Sequence, residues 1–341
     1  MPGTDTEPPG LDLARFQEFF DGVRPGAITG PLRASLIAGG KSNLTYEVTD
    51  GTSTWIVRRP PLGHVLATAH DMGREYRVIT ALWPTDVPVP ETYAHCADDD
   101  VIGAPFYVMS KVTGTPYRHA AELAPLGAER THEISLRMID TLATLHDVDP
   151  HAVGLGDFGR PEGFLARQVR RWKKQLDASH MRDLPGAEQL HDALAASVPA
   201  ESAPGIVHGD FRLDNLLVED DQVTAVLDWE MATLGDPLTD VALLLVYQRM
   251  AELDAGDAVA DVATAPGFAD ADEMLVRYAA HSGRDLAAMG FYLGLAYFKL
   301  AAILEGIHYR HTHGQTVGEG FDAVGDLVVP LIDAGLAALK E

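Results

Sequence analysis

The sequence has little cysteine and a shortage of positive charge. Cys96 is the one cysteine in 341 residues, so no disulfide can form within the chain, and a reducing compartment such as the cytoplasm is expected. Lysine and arginine number 26 against 50 aspartates and glutamates, which gives a formal net charge of −24. Such an acidic chain would repel a nucleic-acid backbone and an anionic membrane surface, so neither is expected as a partner.

Long hydrophobic runs are also missing from the sequence. No stretch approaches the roughly 20 apolar residues that a membrane-spanning helix needs, and the richest one, Met289 to Phe298, contains two glycines and ends at Lys299. The N-terminal segment MPGTDTEPPG has neither a basic region nor an apolar core, so it does not have the pattern of a secretion signal. A hydrophobic content of 46% with 22% charged residues is typical of a globular protein.

The spacing of hydrophobic residues divides the sequence into a first part with both strand and helix patterns and a second part with mainly helix patterns. We predict a short helix within an N-terminal extension over residues 1–30, a strand-rich domain over residues 31–112, and a helical domain over residues 113–341. The first part has these candidate elements: a helix at Leu11 to Phe20, strands at Leu32 to Ala38, Leu44 to Thr49 and Thr54 to Arg59, a helix at Ala67 to Leu82, and strands at Thr92 to Cys96 and Phe106 to Lys111.

The second part is predicted to contain helices and one island of short strands. The helical segments are Ile134 to His146, Phe164 to Asp177, Asp240 to Met250, Ala271 to His281, Gly290 to Ile307 and Phe321 to Leu339. Short apolar runs form the island at Ile206-Val207, Leu216 to Val218 and Thr224 to Leu227. Asp236 and Asp240 are expected to cap the helix that follows, although bracing of the preceding loop is the alternative.

The strand island carries the residues that point to chemistry. HGDFRLDN contains Asp210 and Asn215, and the strand ending in AVLDWE contains Asp228. Phosphoryl transfer from Mg·ATP needs one carboxylate to orient and deprotonate the attacking hydroxyl, and an amide oxygen with a second carboxylate to hold metal ions. Hard oxygen ligands of this kind suit Mg²⁺. The alternative is a pair of β-turns, in which Asp and Asn form local hydrogen bonds.

The segments HGDFRLDNLLV and VLDWEMATLGDPLTDVA resemble the aminoglycoside phosphotransferase and choline kinase family, which has a protein-kinase-like fold. The resemblance is closest to the subgroup also found fused to acyl-CoA dehydrogenases, and it extends from about Leu32 through YFKLAAILEGI to the C-terminus. It implies an α+β, two-lobed fold, with a small antiparallel sheet lobe followed by a mainly helical lobe.

The same resemblance implies roles for individual residues. Asp210 is expected to be the catalytic base, and Asn215 and Asp228 the Mg²⁺ ligands. Arg212 is expected to neutralise the transferring phosphate, because it stands where protein kinases place a lysine. His208 is expected to brace the loop rather than to react.

The segment IAGGKSNLTYEV is the candidate phosphate loop. Gly39 and Gly40 lie between two predicted strands, where backbone without side chains can approach phosphates. Ser42 and Asn43 fill the later positions, so the segment departs from the glycine pattern of kinases. An ordinary hairpin turn is the alternative.

The strand WIVRRPP, which follows the candidate phosphate loop in the sequence, is predicted to contact the nucleotide as well. Alternation places Ile56 and Arg58 on one face of the strand. The resemblance implies that Ile56 lies under the adenine and that Arg58 reaches the α- and β-phosphates in place of the kinase lysine, with Glu75 as its partner. Two exposed arginines on an edge strand, and a solvated helix face around Glu75, are the alternatives.

The resemblance alone implies the remaining nucleotide contacts. Met109 is expected beside the adenine, with the backbone of Ser110 and Val112 hydrogen-bonded to its edge, so that ATP (or GTP) binds near Met109 to Thr113. Three histidines in HYRHTH, namely His308, His311 and His313, have a spacing that can bind zinc, but a surface helix end is the favoured interpretation.

The predicted function is Mg²⁺-dependent transfer of the γ-phosphate to a hydroxyl of a small molecule. The acidic balance favours a cationic acceptor, such as an aminoglycoside-like compound or an amino alcohol, whereas the subgroup favours a hydroxyacyl compound. One alternative is a catalytically silent, kinase-like protein that binds a nucleotide or ligand. Another is a hydrolase using Asp210 and His208, for which the sequence offers no nucleophile at a suitable spacing. The sequence does not predict an oligomeric state.

Overall fold

The computed structural model describes residues 8–37, 43–63, 71–179, 181–200, 203–251, 260–315 and 323–340. The chain divides into two compact units. The first consists of Met1–Gly114 and Thr224–Ala232, and the second of Thr115–Val223 and Thr233–Glu341. In addition to the predicted strand-rich domain over residues 31–112, the first unit thus contains the N-terminal segment, residues 113–114 and residues 224–232.

The first unit is built on a five-stranded antiparallel sheet. Its strands are β1 (Arg33–Leu36), β2 (Leu44–Thr49), β3 (Thr54–Arg59), β4 (Thr92–Cys96) and β5 (Phe106–Ser110), in the spatial order β1-β2-β3-β5-β4. Among the described residues of this unit, the sheet is accompanied by the α-helices α1 (Leu13–Val23), α2 (Met72–Leu82) and α3 (Asp99–Ile102). The pairing places β3 in the middle of the sheet.

The helix α1 covers one face of this sheet. Asp12 caps its N-terminus by accepting a hydrogen bond from the backbone N–H of Arg15. Phe16 and Phe20 recur at four-residue spacing and are fully buried, and the ring of Phe20 lies edge-on to Trp55 of β3. The predicted N-terminal extension is therefore part of the hydrophobic core of the first unit.

The second unit is mainly helical. Its helices are α4 (Ala120–Leu123), α5 (Ala128–Asp147), α6 (Phe164–Ala178), α7 (Ala187–Ala196), α8 (Leu238–Ala251), α9 (Ala271–Ser282), α10 (Met289–Thr312) and α11 (Val328–Ala338). The strands are β6 (Gly205–Val207), β7 (Leu216–Glu219), β8 (Gln222–Val226) and β9 (Thr233–Gly235); β6 pairs with β9, and β8 carries the chain into the first unit.

The helix α10 packs against α6, α8 and α11. By length and composition it is long and apolar enough to cross a membrane, but 67% of its most apolar window is buried inside the protein. A central helix of a helical domain has the same composition, because apolar neighbours surround it on most sides. Two of its buried residues, Gly294 and Ala301, are small, which allows the neighbouring helices to approach closely.

The predicted fold class, α+β with a small antiparallel sheet and a mainly helical remainder, agrees with the structure. Elements absent from the prediction are the short ones, α3, α4 and β9, together with α7. The predicted start of the second helix at Ala67 lies outside the described residues. The helix α8 begins at Leu238, so Asp240 lies in its first turn and is not a cap; Asp236 accepts the N–H of Leu238 instead.

Candidate functional site

The loop from His208 to Asn215 follows the fully buried strand β6. Gly209 has a left-handed backbone with φ +89°, which glycine adopts without strain. The backbone N–H of Asp210 donates to Nδ1 of His208 at 3.3 Å, and a short 3₁₀ turn at Leu213–Asn215 ends the loop. These local bonds fix the direction in which the Asp210 side chain leaves the backbone.

Two neighbours hold the carboxylate of Asp210. The hydroxyl of Tyr247 on α8 donates to Oδ1 at 2.8 Å, and Nδ2 of Asn215 donates to Oδ2 at 3.2 Å and to the Asp210 carbonyl at 2.9 Å. Burial, together with the charge of Asp210, raises the pKa of Tyr247 well above its usual value, so the hydroxyl keeps its proton. The structure thus brings together Asp210 and Asn215, as predicted, and adds Tyr247.

Asp240 fixes the backbone of the same loop. Its carboxylate is 1% exposed and accepts the N–H groups of His208 at 2.6 Å and of Gly209 at 2.8 Å. His146 Nε2 lies 3.3 Å from Oδ2 of Asp240, and burial lowers the pKa of this imidazole. Burial opposes ionisation of Asp240, but its bonds to His146 and Gly209 prevail and lower its pKa. Asp240 therefore braces the loop, which was the alternative interpretation of its role.

Arg212 is engaged within the second unit. Its guanidinium forms a two-pronged ion pair with Asp214 and lies over the ring of Tyr247, 4.9 Å from the centroid. Burial alone would lower the pKa of Arg212, but the pairing with Asp214 raises it. The residue predicted to neutralise a transferring phosphate thus has a carboxylate partner of its own.

A second cation, Lys299 of α10, also reaches the loop. Its Nζ donates to the carbonyl oxygen of Gly209 at 2.8 Å, and it lies 5.6 Å from the ring centroid of Trp172 on α6. Tyr247 carries no local sequence signal, because it lies inside an apolar helix far from the motif. Lys299 lies in YFKLAAILEGI, a segment that shares the family resemblance but does not by itself indicate a role for this lysine.

In the first unit, Arg58 joins two carboxylates. Its Nε lies 3.1 Å from Oε2 of Glu75 on α2, and its Nη2 donates to Oδ1 of Asp228 at 2.5 Å. Glu75 is 1% exposed, so it does not belong to a solvated helix face. Burial raises the pKa of Glu75 although Arg58 and the hydroxyl of Tyr107, 3.0 Å away, favour its charged form.

Asp228 follows β8 with a left-handed backbone, at φ 65°. This conformation is uncommon for residues other than glycine, although Asp and Asn tolerate it better than most. Nearby, Nδ2 of Asn43 donates to Oε1 of Glu75 at 3.2 Å and to Oε2 of Glu230 at 3.3 Å. Asn43 therefore connects the start of β2 to both acidic side chains.

The predicted adenine-contacting residues lie on β3 and β5. Ile56 is opposite Met109 in the sheet, and both are buried. The N–H of Ser110 donates to the carbonyl of Glu91 at 2.8 Å, and Val112 is half-buried just beyond the strand. Gly39, Gly40 and Ser42 lie outside the described residues.

Asn215 in the second unit and Asp228 in the first each offer an oxygen atom of the type that magnesium prefers. Asn215 uses its amide nitrogen on Asp210, which leaves the amide oxygen as a ligand, and Asp228 uses one carboxylate oxygen on Arg58, which leaves the other. Both are hard oxygen donors, and Mg²⁺ usually takes few protein ligands. Within the described parts of the chain, no group of three or more His, Cys, Asp or Glu residues could hold a metal ion, and this includes His308, His311 and His313.

Comparison with known proteins identifies the family. The model of the phosphotransferase enzyme family matches residues 33–292. The chain belongs to this phosphotransferase family. Among curated members with similar sequence, acyl-CoA dehydrogenase family member 11 of Gallus gallus is 34% identical over 93% of this chain and 41% of its own length. Member 10 of Mus musculus is 35% identical over 88% of this chain and 28% of its own length. The chain thus spans less than half the length of these relatives.

Solved structures support the same phosphotransferase fold. A Ralstonia eutropha protein described as a candidate aminoglycoside phosphotransferase is 32% identical, with a TM-score of 0.84, over 96% of this chain and 98% of its own. The aminoglycoside phosphotransferase APH(4)-Ia, in a ternary complex with AMP-PNP and hygromycin B, has a TM-score of 0.60 over 94% and 97% of the two chains. At 16% identity, the second likeness shows the fold alone.

Proposed function

We propose that this phosphotransferase transfers the γ-phosphate of ATP (or GTP), with Mg²⁺, to a hydroxyl group of a small molecule. The observation that carries the proposal is the carboxylate of Asp210, held by Tyr247 and Asn215 in a loop whose backbone is fixed by Asp240. A base held in one orientation is what an in-line attack by a hydroxyl requires. Membership of the phosphotransferase family supports the same reaction class.

In this proposal Asp210 orients the acceptor hydroxyl and takes its proton as the oxygen attacks phosphorus. Tyr247 and Asn215 donate hydrogen bonds to the two carboxylate oxygens, which limits rotation of the carboxylate. Arg212 remains the residue predicted to neutralise the transferring phosphate. To do so, its guanidinium would have to break its ion pair with Asp214 or bind Asp214 and the phosphate at the same time.

The first unit supplies the proposed nucleotide contacts. Arg58 would reach the α- and β-phosphates, and Glu75, buried beside it, would hold the guanidinium in place. Ile56 and Met109 would contact the adenine, with the backbone of Ser110 and Val112 at its edge. Gly39, Gly40, Ser42 and Asn43 would lie along the phosphates.

Asn215 and Asp228 are the proposed magnesium ligands, through an amide oxygen and a carboxylate oxygen. When bound, Mg²⁺ would neutralise the charge of the triphosphate. Arg58 would compete for Asp228, since its guanidinium already bonds one oxygen of that carboxylate. The location that we propose is the cytoplasm, in keeping with the single, buried cysteine Cys96.

The acceptor is proposed only by class. An aminoglycoside-like compound, an amino alcohol and a hydroxyacyl compound each offer a hydroxyl that Asp210 could deprotonate. The net charge of −24 favours the first two, and the similarity to acyl-CoA dehydrogenase family members favours the third. An ATP-consumption assay over a panel containing all three classes separates them.

The variant Asp210→Asn tests the proposed base. Turnover of the best acceptor should fall by about 100-fold or more, because general-base catalysis is lost, while binding of Mg·ATP stays at the wild-type level. Retained turnover in Asp210→Asn would contradict the assignment. The matched variant Asp228→Ala should instead remove the thermal stabilisation by Mg·ATP and Mg·GTP. A folded wild-type protein that neither nucleotide stabilises would favour a catalytically silent, kinase-like protein.

A further inference from the structure

The carbonyl oxygen of Gly209 accepts a hydrogen bond from outside the catalytic motif. The donor is Nζ of Lys299, 2.8 Å away on α10. The N–H of the same residue donates to Oδ1 of Asp240 on α8, also at 2.8 Å. Gly209 is thus held on both sides by charged side chains from two different helices, and Asp210 is the next residue in the chain.

Burial and the nearby carboxylates act on the pKa of Lys299 in opposite directions. Burial lowers the pKa of its ammonium group, and the guanidinium of Arg171 on α6 adds to this; the carboxylates of Asp210 and Asp240 oppose the shift but do not reverse it. The ring of Trp172 lies 5.6 Å from Nζ and stabilises the cation from the side of α6. A partly buried ammonium group in these surroundings is directed at the loop rather than at solvent.

Arg212 is engaged with other side chains of the second unit. Its guanidinium uses two nitrogens on Asp214 and one face on Tyr247. Burial alone would lower its pKa, but Asp214 and the charge of Asp210 both raise it. Lys299 differs from Arg212 in that its hydrogen-bond acceptor is a backbone carbonyl, that of Gly209.

We propose that Lys299 is a positioning residue for Asp210: from α10 it holds the carbonyl oxygen of Gly209, the residue that immediately precedes the proposed base. The proposal rests on the proposed function only for the identity of Asp210 as the base. The hold on the loop is independent of that function and can be measured without an acceptor.

Hydrogen–deuterium exchange of the full chain tests the hold on the loop. In Lys299→Met, the amides of residues 205–212 should exchange about tenfold faster or more, because a charge-assisted hydrogen bond is lost. The matched control is Lys173→Met on α6, whose lysine pairs with Asp177 and Glu188; it should leave this segment unchanged. Lys299→Arg, which keeps a charged donor, should restore most of the protection. Equal exchange in Lys299→Met and Lys173→Met would overturn the proposal.

Kinetics with the best acceptor of the panel test the consequence for the base. In Lys299→Met, kcat should fall on the order of 10- to 100-fold with little change in KM for ATP or acceptor, since misplacement of a catalytic group lowers turnover. Lys299→Gln keeps a hydrogen-bond donor but no charge, so its kcat should lie between those of Lys299→Met and Lys299→Arg. If Lys299→Met does not fold, the comparison of Lys299→Gln with Lys299→Arg replaces it. A large loss of kcat in Arg212→Met, with kcat retained in Lys299→Met, would overturn the proposal.

The two hypotheses fail in different ways. A wild-type chain that transfers no phosphate to any acceptor refutes the proposed function, while the exchange measurement still decides whether Lys299 holds the loop. Unchanged exchange and unchanged kcat in a Lys299→Met protein with an active wild type refute the role of Lys299 alone.

Discussion

Nη2 of Arg58 lies 2.5 Å from Oδ1 of Asp228, within the first unit. The residue proposed to bind phosphates is therefore bonded to the residue proposed to bind magnesium. Glu75 is the second carboxylate on the same guanidinium, so the three side chains together carry one net negative charge when all are ionised. Such a cluster attracts a divalent cation and still offers a donor to a phosphate oxygen.

We expect Arg58→Met to weaken binding of Mg·ATP by about tenfold or more, because a charged hydrogen-bond donor to phosphate is removed. The change also leaves Glu75 buried without its cation. Isothermal titration calorimetry at fixed Mg²⁺ measures the dissociation constant. Arg58→Lys should recover part of the affinity, since it keeps the charge but not the planar fork. Equal affinity in Arg58→Met and wild type would show that Arg58 is not a phosphate ligand.

The hydroxyl of Tyr247 should contribute to turnover rather than to nucleotide binding. Tyr247→Phe removes the 2.8 Å bond to Oδ1 of Asp210 and keeps the ring beneath Arg212. The expected fall in kcat is on the order of tenfold, the usual effect of losing one hydrogen bond to a charged group. Tyr292→Phe is the matched control, because it removes a 2.7 Å tyrosine–aspartate bond to Asp236. Similar kcat values for the two variants would contradict a specific role for Tyr247.

His146 should make the free energy of unfolding depend on pH. Burial lowers its pKa in the folded protein, whereas in the unfolded chain the imidazole titrates near its ordinary value of about 6.5. Below that value the unfolded state binds the additional proton, so stability present above about pH 6.5 is lost as the pH falls, by at most about 1.4 kcal/mol per pH unit.

Urea unfolding at several pH values between 5 and 8 measures this dependence. His146→Gln should show a shallower loss of unfolding free energy toward low pH than wild type, whatever its stability at neutral pH. His132→Gln, which removes a half-exposed histidine from the same helix α5, is the control for the loss of one imidazole. An identical slope in His146→Gln would exclude His146 as the source.

Gly267 is expected to tolerate no side chain. Its φ is +92°, and a β-carbon would lie 2.1 Å from the carbonyl oxygen of Ala128. Gly283 has φ +64° with nothing within 4 Å of such an atom. Gly283→Ala should lower the free energy of unfolding by about 1 kcal/mol, because of backbone strain alone. Gly267→Ala should lower it by about 1–3 kcal/mol more, because the backbone at Ala128 must also move. Chemical unfolding of the two variants measures the difference, and equal costs would contradict the close contact.

The sequence alone is sufficient to predict the helices and strands with long, regular hydrophobic periodicity, and the residues of the motif. Asp210 and Asn215 lie five positions apart in one loop, so local spacing determined that they would be close. The pairing of Arg58 with Glu75 could be anticipated only through the family resemblance, because it joins a strand to a helix across 17 positions.

The residues that the sequence did not reveal contact the loop from distant helices. Tyr247 and Lys299 reach Asp210 and Gly209 across 37 and 90 positions. Their surroundings are apolar, and periodicity identifies an apolar helix without showing which polar side chain on it faces a loop. The short strand β9 was missed for a related reason, since three residues carry too little pattern.

The first unit is discontinuous in the chain, because Thr224–Ala232 completes it after the whole of Thr115–Val223 has intervened. On the ribosome, α1 and the five strands emerge early, whereas Asp228 and Glu230 follow on the order of 10 s later at ordinary rates of synthesis. Until then Arg58 lacks one of its two carboxylate partners, and Asn43 lacks Glu230. A nascent chain halted before residue 224 would therefore hold a sheet without its complete acidic cluster, and the proposed site for Mg·ATP would be completed late in translation.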